Sequence, residues 1–196
     1  MSKGDATRQR IVSEAAALFN KQGFAGSSIT DLMEATGLEK GGIYRHFSSK
    51  EQVAIEAFDY AWQSATNARM HDLDGVPNSV DRLQRFIANF VGRRPVVAGG
   101  CPLLNTAVEA DDGNPVLRER ARAALSQWQS RLSAIISSGV KKREIRGGTS
   151  PKRLATLIIS ALEGALMISR LERSDEALRA VQTHLDHYLE SEVRSR

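Results

Sequence analysis

Apolar residues recur at intervals of three and four from one end of this chain to the other, and no run of four to eight residues alternates apolar with polar. Such a pattern suits helices that each bury one stripe and argues against strands with one wet face. An all-α fold is the expectation. At 196 residues, 41% of them hydrophobic, the chain is long enough to bury a core of its own. Its single cysteine allows no intramolecular disulfide, and no charged-then-apolar leader opens it. The longest apolar stretch, Leu154 to Ile168, carries Glu163 and falls short of the roughly 20 residues of a bilayer span. A cytoplasmic protein with no membrane segment is expected.

Capping residues, glycines and prolines punctuate the helical pattern. Ile11, Ala15, Leu18 and Phe19 mark a first helix ending at Gly23. Ser28 with Asp31 reads as a capping box opening a short helix that stops at Gly37, and a third helix is expected from Glu39 to Phe47. Ser48 with Glu51 reads as the capping box of a long helix running through Phe58 and Trp62 to near His71. Breaks at Asp74 to Pro77 and at Arg94-Pro95 bracket a helix holding Leu83, Phe86, Ile87 and Phe90. A short helix from Leu103 to Asp111, a long one from Leu117 through Trp128 towards Val140, and two more after Pro151 complete the reading. Residues 1–4 and 191–196 are expected to fray.

The net charge of +4 divides evenly, an excess of two positive charges in residues 1–50 and two in residues 51–196. Charge alone therefore permits a nucleic-acid partner without selecting one. Spacing is more informative. Two helices of about two turns joined across Gly37-Leu38 have the arrangement of a helix-turn-helix, and helices this short need a first helix to dock on. Leu32, Met33, Leu38, Ile43 and Phe47 supply the apolar contacts. With Ile43 set inward and about 100° per residue, Gly41 and Arg45 project outward near 160° and 200°, flanked by Tyr44 and Gly42. Glycines let a helix backbone approach a groove floor, Arg45 matches a guanine edge, and Tyr44, His46 and Lys50 reach towards phosphates. From spacing alone a poor helix start with a solvated arginine stays open.

Gly23-Phe24, Ser28-Ile29-Thr30-Asp31-Leu32, Ala35-Thr36-Gly37-Leu38, Lys40-Gly41-Gly42-Ile43-Tyr44-Arg45-His46-Phe47 and Ser49-Lys50-Glu51 together resemble the amino-terminal signature of the TetR/AcrR family of bacterial transcriptional regulators over roughly residues 8 to 55. The resemblance implies a nine-helix subunit, a helix-turn-helix DNA-binding domain in residues 1–50, and a helical effector-binding and dimerisation domain in residues 51–196. It also implies a homodimeric repressor on a palindromic double-stranded operator, released by a small-molecule effector. Ser28, Thr30, Lys40, Gly41, Gly42, Tyr44, Arg45, His46 and Lys50 are the implied DNA-facing residues.

Beyond residue 50, Phe58, Trp62, Phe86, Phe90, Trp128 and Met167 are candidates to line an effector cavity, with packed core as the alternative. Cys101 precedes a helix start and is a candidate for a ligand contact or a thiol sensor of electrophiles or oxidants, or else a small buried residue. Asn105 and Glu109 share a helix face and either meet a ligand or pair locally. No cofactor is expected, and His184 and His187 lack the third ligand of a metal site. Lys141, Lys142, Arg143 and Arg146 read as solvated charge at a helix end. Leu154, Ile158, Ala161, Leu162 and Ala165 in one helix, with Leu178, Val181 and Leu185 in the next, are the candidate dimer surface. Two other classes stay open: a cysteine-dependent enzyme using Cys101, and a DNA-binding or ligand-binding protein without sequence preference.

Overall fold

A computed structural model describes residues 2–93 and 96–196; Met1 and the expected break at Arg94-Pro95 lie outside the described residues. The described residues form nine α-helices: α1 (Lys3–Gln22), α2 (Ile29–Thr36), α3 (Lys40–Tyr44), α4 (Lys50–Arg69), α5 (Ser79–Gly92), α6 (Pro102–Ala110), α7 (Pro115–Lys141), α8 (Pro151–Glu172) and α9 (Glu176–Tyr188). A π-helical turn, Leu189–Val193, extends α9.

Local chemistry sets several boundaries differently from the sequence expectation. Ser2 and Asp5 form a reciprocal capping box, so α1 is ordered from Lys3 instead of fraying. The cap of α4 lies one residue later than expected. Gln52 N donates to Ser49 Oγ at 3.1 Å, and Gln52 Oε1 accepts from Ser48 N at 2.6 Å. Glu51, expected in that role, instead accepts from Asn114 Nδ2 at 2.7 Å. The far end is tied down as well. Arg194 pairs with Glu190 and Asp81, Ser195 N donates to Glu144 O, and Arg146 donates to Ser191 O instead of standing in solvent.

The chain divides into two compact units, residues 1–65 with 95–124 and residues 66–94 with 125–196. In the first, Ile11, Ala15, Leu32, Ile43, Phe47, Val53, Ala57 and Ala61 form one buried cluster, with Leu18, Phe19, Met33 and Leu38 packed around it. In the second, the largest fully buried side chains include Phe86, Trp128, Leu132, Ile158 and Leu162. There α9 packs on α8 and on α5. By length and composition α8, at 22 residues, is apolar enough to cross a membrane, longer than the stretch legible from Leu154 to Ile168. Its Leu154, Ala155, Ile158, Leu162, Ala165 and Glu163 are nevertheless buried within this unit, which makes it a core helix.

Candidate nucleic-acid interface

Ser28 caps α2 in the expected way: Asp31 N donates to its hydroxyl at 3.1 Å, and Ser28 N donates to Asp31 Oδ2 at 2.6 Å. Hydrogen bonding to its carboxylate, first from the Ser28 backbone N–H and then from the Ser28 side chain, holds the Asp31 carboxyl below the usual aspartate range. Gly37 ends α2 in the left-handed region at φ 64°, where a side chain would be strained, and α3 begins three residues later. This is the helix-turn-helix.

The third helix is shorter than the expected Glu39 to Phe47. It spans five residues, and Glu39 at its start makes no side-chain capping bond. Two glycines cost so short a helix about 1 kcal/mol relative to alanine, roughly half the penalty they carry in a long helix interior. Burial offsets this: Ile43 and Phe47 are inside the core, each contributing about 1.5–3 kcal/mol relative to exposure. Packing, not propensity, holds α3.

What α3 and its C-cap leave outside is Lys40, Gly41, Tyr44 and Arg45, Tyr44 being 37% exposed, and Thr30 of α2 and its cap Ser28 are exposed as well. Gly42 and His46 are half-buried on the flanks, and no atom lies within 4 Å of where a Cβ would stand on Gly41. One expected contact residue is engaged internally. Lys50 Nζ donates to Phe24 O at 2.5 Å and stands 4.2 Å from the centre of the Phe24 ring. Burial lowers its ammonium pKa, opposed by the carboxylates of Glu109 and Asp31.

Residues 11–57 match the profile of bacterial regulatory proteins of the tetR family, and residues 79–185 match the tetracyclin repressor-like C-terminal domain. The chain belongs to the TetR family. This TetR-family protein is similar to the HTH-type transcriptional repressor DhaR of Mycobacterium sp. (strain GP1), 28% identical over 174 residues that cover 87% of this chain and 86% of that one. It is 30% identical to an HTH-type transcriptional regulator of Mycobacterium tuberculosis (strain CDC 1551 / Oshkosh), across 96% of this chain and 97% of the relative. The crystal structure of a TetR transcriptional regulator from Chloroflexus aurantiacus J-10-FL superposes with a TM-score of 0.96 at 46% identity, covering 100% of both chains. The protein is a DNA-binding transcriptional regulator.

The residues expected around an effector separate into different places. Phe86, Phe90 and Trp128 gather in the second unit, with Phe90 and Trp128 stacked at 6.2 Å between ring centres. Arg69, which the sequence reading did not single out, lies 4.5 Å from the centres of both the Phe90 and Trp128 rings and 3.5 Å from Glu163. Arg69 and Glu163 are 7% and 8% exposed, an ion pair set among aromatic rings. Asn89 Nδ2 donates to the carbonyls of Arg69 and His71, closing the end of α4. Two charges among apolar residues far apart in sequence left no spacing signal.

Phe58 lies in the first unit, on the wall of a cavity of about 30 Å³ with Phe19, Phe24, Ala54 and Ala57. Trp62 is half-buried on α4, and Met167 is 50% exposed on α8. Cys101 is 2% exposed at the start of α6, so a sensing reaction there would first have to open the loop before it. Asn105 and Glu109 bond mainly across the chain, not locally: Asn105 Nδ2 donates to Asn20, 85 residues away, as well as to Gly99, and Glu109 accepts from Phe24 N and Ala25 N.

Of the candidate dimer residues, Leu154, Ile158, Leu162, Ala165, Leu178 and Leu185 are buried within the chain, and Ala161 and Val181 are half-buried. The six buried side chains hold α8 and α9 in their own subunit and are unavailable to a partner. The apolar face that α8 leaves outside runs through Leu157, Ala161, Gly164, Ile168 and Leu171, spaced alternately by four and three.

Proposed function

We propose that this protein is a homodimeric repressor in which α3 of each subunit enters the major groove of a palindromic operator, and that a small-molecule effector releases it. The observation that carries the reading is the outer face of α3 and its C-cap: Lys40, Gly41 and Tyr44 exposed on the helix and Arg45 exposed at its end, with Ile43 and, just past the helix, Phe47 buried on the other side. Arg45 offers a bidentate donor to a guanine edge, Gly41 close backbone approach, and Lys40, Tyr44, Thr30 and Ser28 contacts to the backbone of the duplex. Gly42 and His46 flank this surface, and Lys50 joins it on exchanging Phe24 O for a phosphate.

Residues 1–50 carry the reading of DNA, and residues 51–196 carry regulation and pairing. The exposed stripe from Leu157 to Leu171 supports pairing through α8, with Gly164 permitting close helix approach. Two copies would set their recognition helices about 34–36 Å apart, one turn of duplex. The aromatic and charged cluster of Arg69, Phe86, Phe90, Trp128 and Glu163 supports effector binding in the second unit, where a ligand acts by favouring one of two conformations. The reading has no catalytic step, and it places the protein in the cytoplasm, on the nucleoid when DNA-bound.

Selection of bound duplexes from a random pool at near-physiological salt tests it. Enrichment of a palindrome is the expected result. A folded, dimeric protein that enriches nothing overturns it.

A further inference from the structure

The two polar residues on one face of α6 both grip the end of α1. Asn105 Nδ2 donates to Asn20 O at 3.0 Å and to Asn20 Oδ1 at 2.9 Å. One turn on, Glu109 Oε2 accepts from Phe24 N at 2.9 Å and its Oε1 from Ala25 N at 2.7 Å. A carboxylate reaches two successive amides here because residue 23 is glycine at φ 81°; a Cβ at that position would stand 2.8 Å from Glu109 Oε1. The same loop is held from other sides. Lys50 donates to Phe24 O at 2.5 Å, and Ser27 Oγ donates to Gly23 O at 2.7 Å. Ser28, the cap of α2, follows immediately.

We propose that Glu109 is a positioning residue for operator reading: its carboxylate fixes the α1–α2 loop and, through it, the orientation in which α2 and α3 meet DNA. The proposal rests on α3 being the reading helix. Glu109 lies in the span matched by the C-terminal regulatory profile, whereas Phe24 and Ala25 lie in the span matched by the DNA-binding one. The two hydrogen bonds therefore join the two matched regions directly, within one compact unit.

Charge gives the test a sign. Glu109 is exposed, and removing one negative charge from a DNA-binding protein strengthens its contact with phosphates. Loss of positioning does the opposite for the specific site alone.

Full-length wild type, Glu109→Gln and Glu109→Ala are titrated against the duplex that wild type enriches and against a scrambled duplex, with amide hydrogen exchange and melting followed in the absence of DNA. In Glu109→Ala, exchange at Phe24 and Ala25 is expected to accelerate at least tenfold. Affinity for the enriched duplex falls at least tenfold while that for the scrambled duplex holds or rises. Glu109→Gln, which keeps one acceptor, falls between. If the alanine variant does not fold, the glutamine variant decides on the same readings. Variants that bind the enriched duplex as tightly as wild type, or more tightly, overturn the proposal and leave operator reading intact. A wild type that enriches no duplex overturns both.

Discussion

Replacing Gly41 with alanine moves stability and operator affinity in opposite directions. Alanine is better than glycine inside a helix by about 0.8–1.0 kcal/mol. The added methyl meets nothing within 4 Å, so no clash opposes the gain. With α3 only five residues long, roughly half of that benefit, about 0.5 kcal/mol, is expected. For a chain of 196 residues this raises Tm by about 1–2 °C. Against a groove floor the same methyl holds the backbone off by about 1.5 Å, one carbon–carbon bond. Loss of one good base contact is worth about 1–3 kcal/mol, hence a drop in affinity of about 5- to 150-fold. Thermal melts without DNA and fluorescence anisotropy on the enriched duplex measure the two terms. At Gly42 a Cβ would rest 3.6 Å from Leu38 Cβ, turned aside from the outermost face, so Gly42→Ala serves as the comparison with a smaller loss on DNA. A higher Tm for Gly41→Ala with undiminished operator affinity would refute the idea that this glycine serves close approach.

Four further outcomes are expected. Arg45→Ala loses discrimination at one or two base positions, by about 1–3 kcal/mol each, and a uniform loss across all sequences in a binding-site selection would count against base reading. The Asp31 carboxyl titrates below the ordinary aspartate value of about 3.9, so its stabilising contribution is complete above that pH and disappears as pH falls through the lower folded value; a carbon-detected NMR titration with its midpoint at or above 3.9 contradicts this. Leu157→Glu combined with Ile168→Glu yields a folded monomer by sedimentation, and a persisting dimer moves the interface away from the outer stripe of α8. Native Cys101 reacts with an aromatic disulfide reagent slowly and unfolded Cys101 quickly, and rapid stoichiometric labelling of the native protein would return it to the list of sensors.

Helix order and most boundaries were legible because apolar period and capping chemistry are local. Ser28 with Asp31 predicted a cap that the structure contains, and Gly23 and Gly37 predicted helix ends. The α4 cap slipped by one residue because Ser48, Ser49, Glu51 and Gln52 offer two equivalent boxes, and a distant partner, Asn114, takes Glu51. The exposed face around α3 was legible from helical projection, since Ile43 and Phe47 inward places Gly41 and Arg45 outward. Lys50 was less so, because its carbonyl partner on Phe24 lies 26 residues away. For α8, periodicity revealed an apolar stripe without saying whether the chain itself or a partner covers it, and burial assigns Leu154, Ile158 and Leu162 to the inside. Glu163 stood out as a charge inside an apolar stretch, but its pairing with Arg69 left no trace, since the two lie in different helices and only the fold brings them to 3.5 Å.

The ties made by Arg194 bear on how the molecule comes off the ribosome. Its guanidinium bonds Asn78 and Asp81 across 116 and 113 residues of chain, and residue 194 also bridges to Ile145. Every residue of the first compact unit has been added by position 124, whereas the second lacks this closure until position 194. At about 5–20 residues per second, the interval between them is roughly 4–14 s. A newly made chain thus acquires its helix-turn-helix before its second unit is closed.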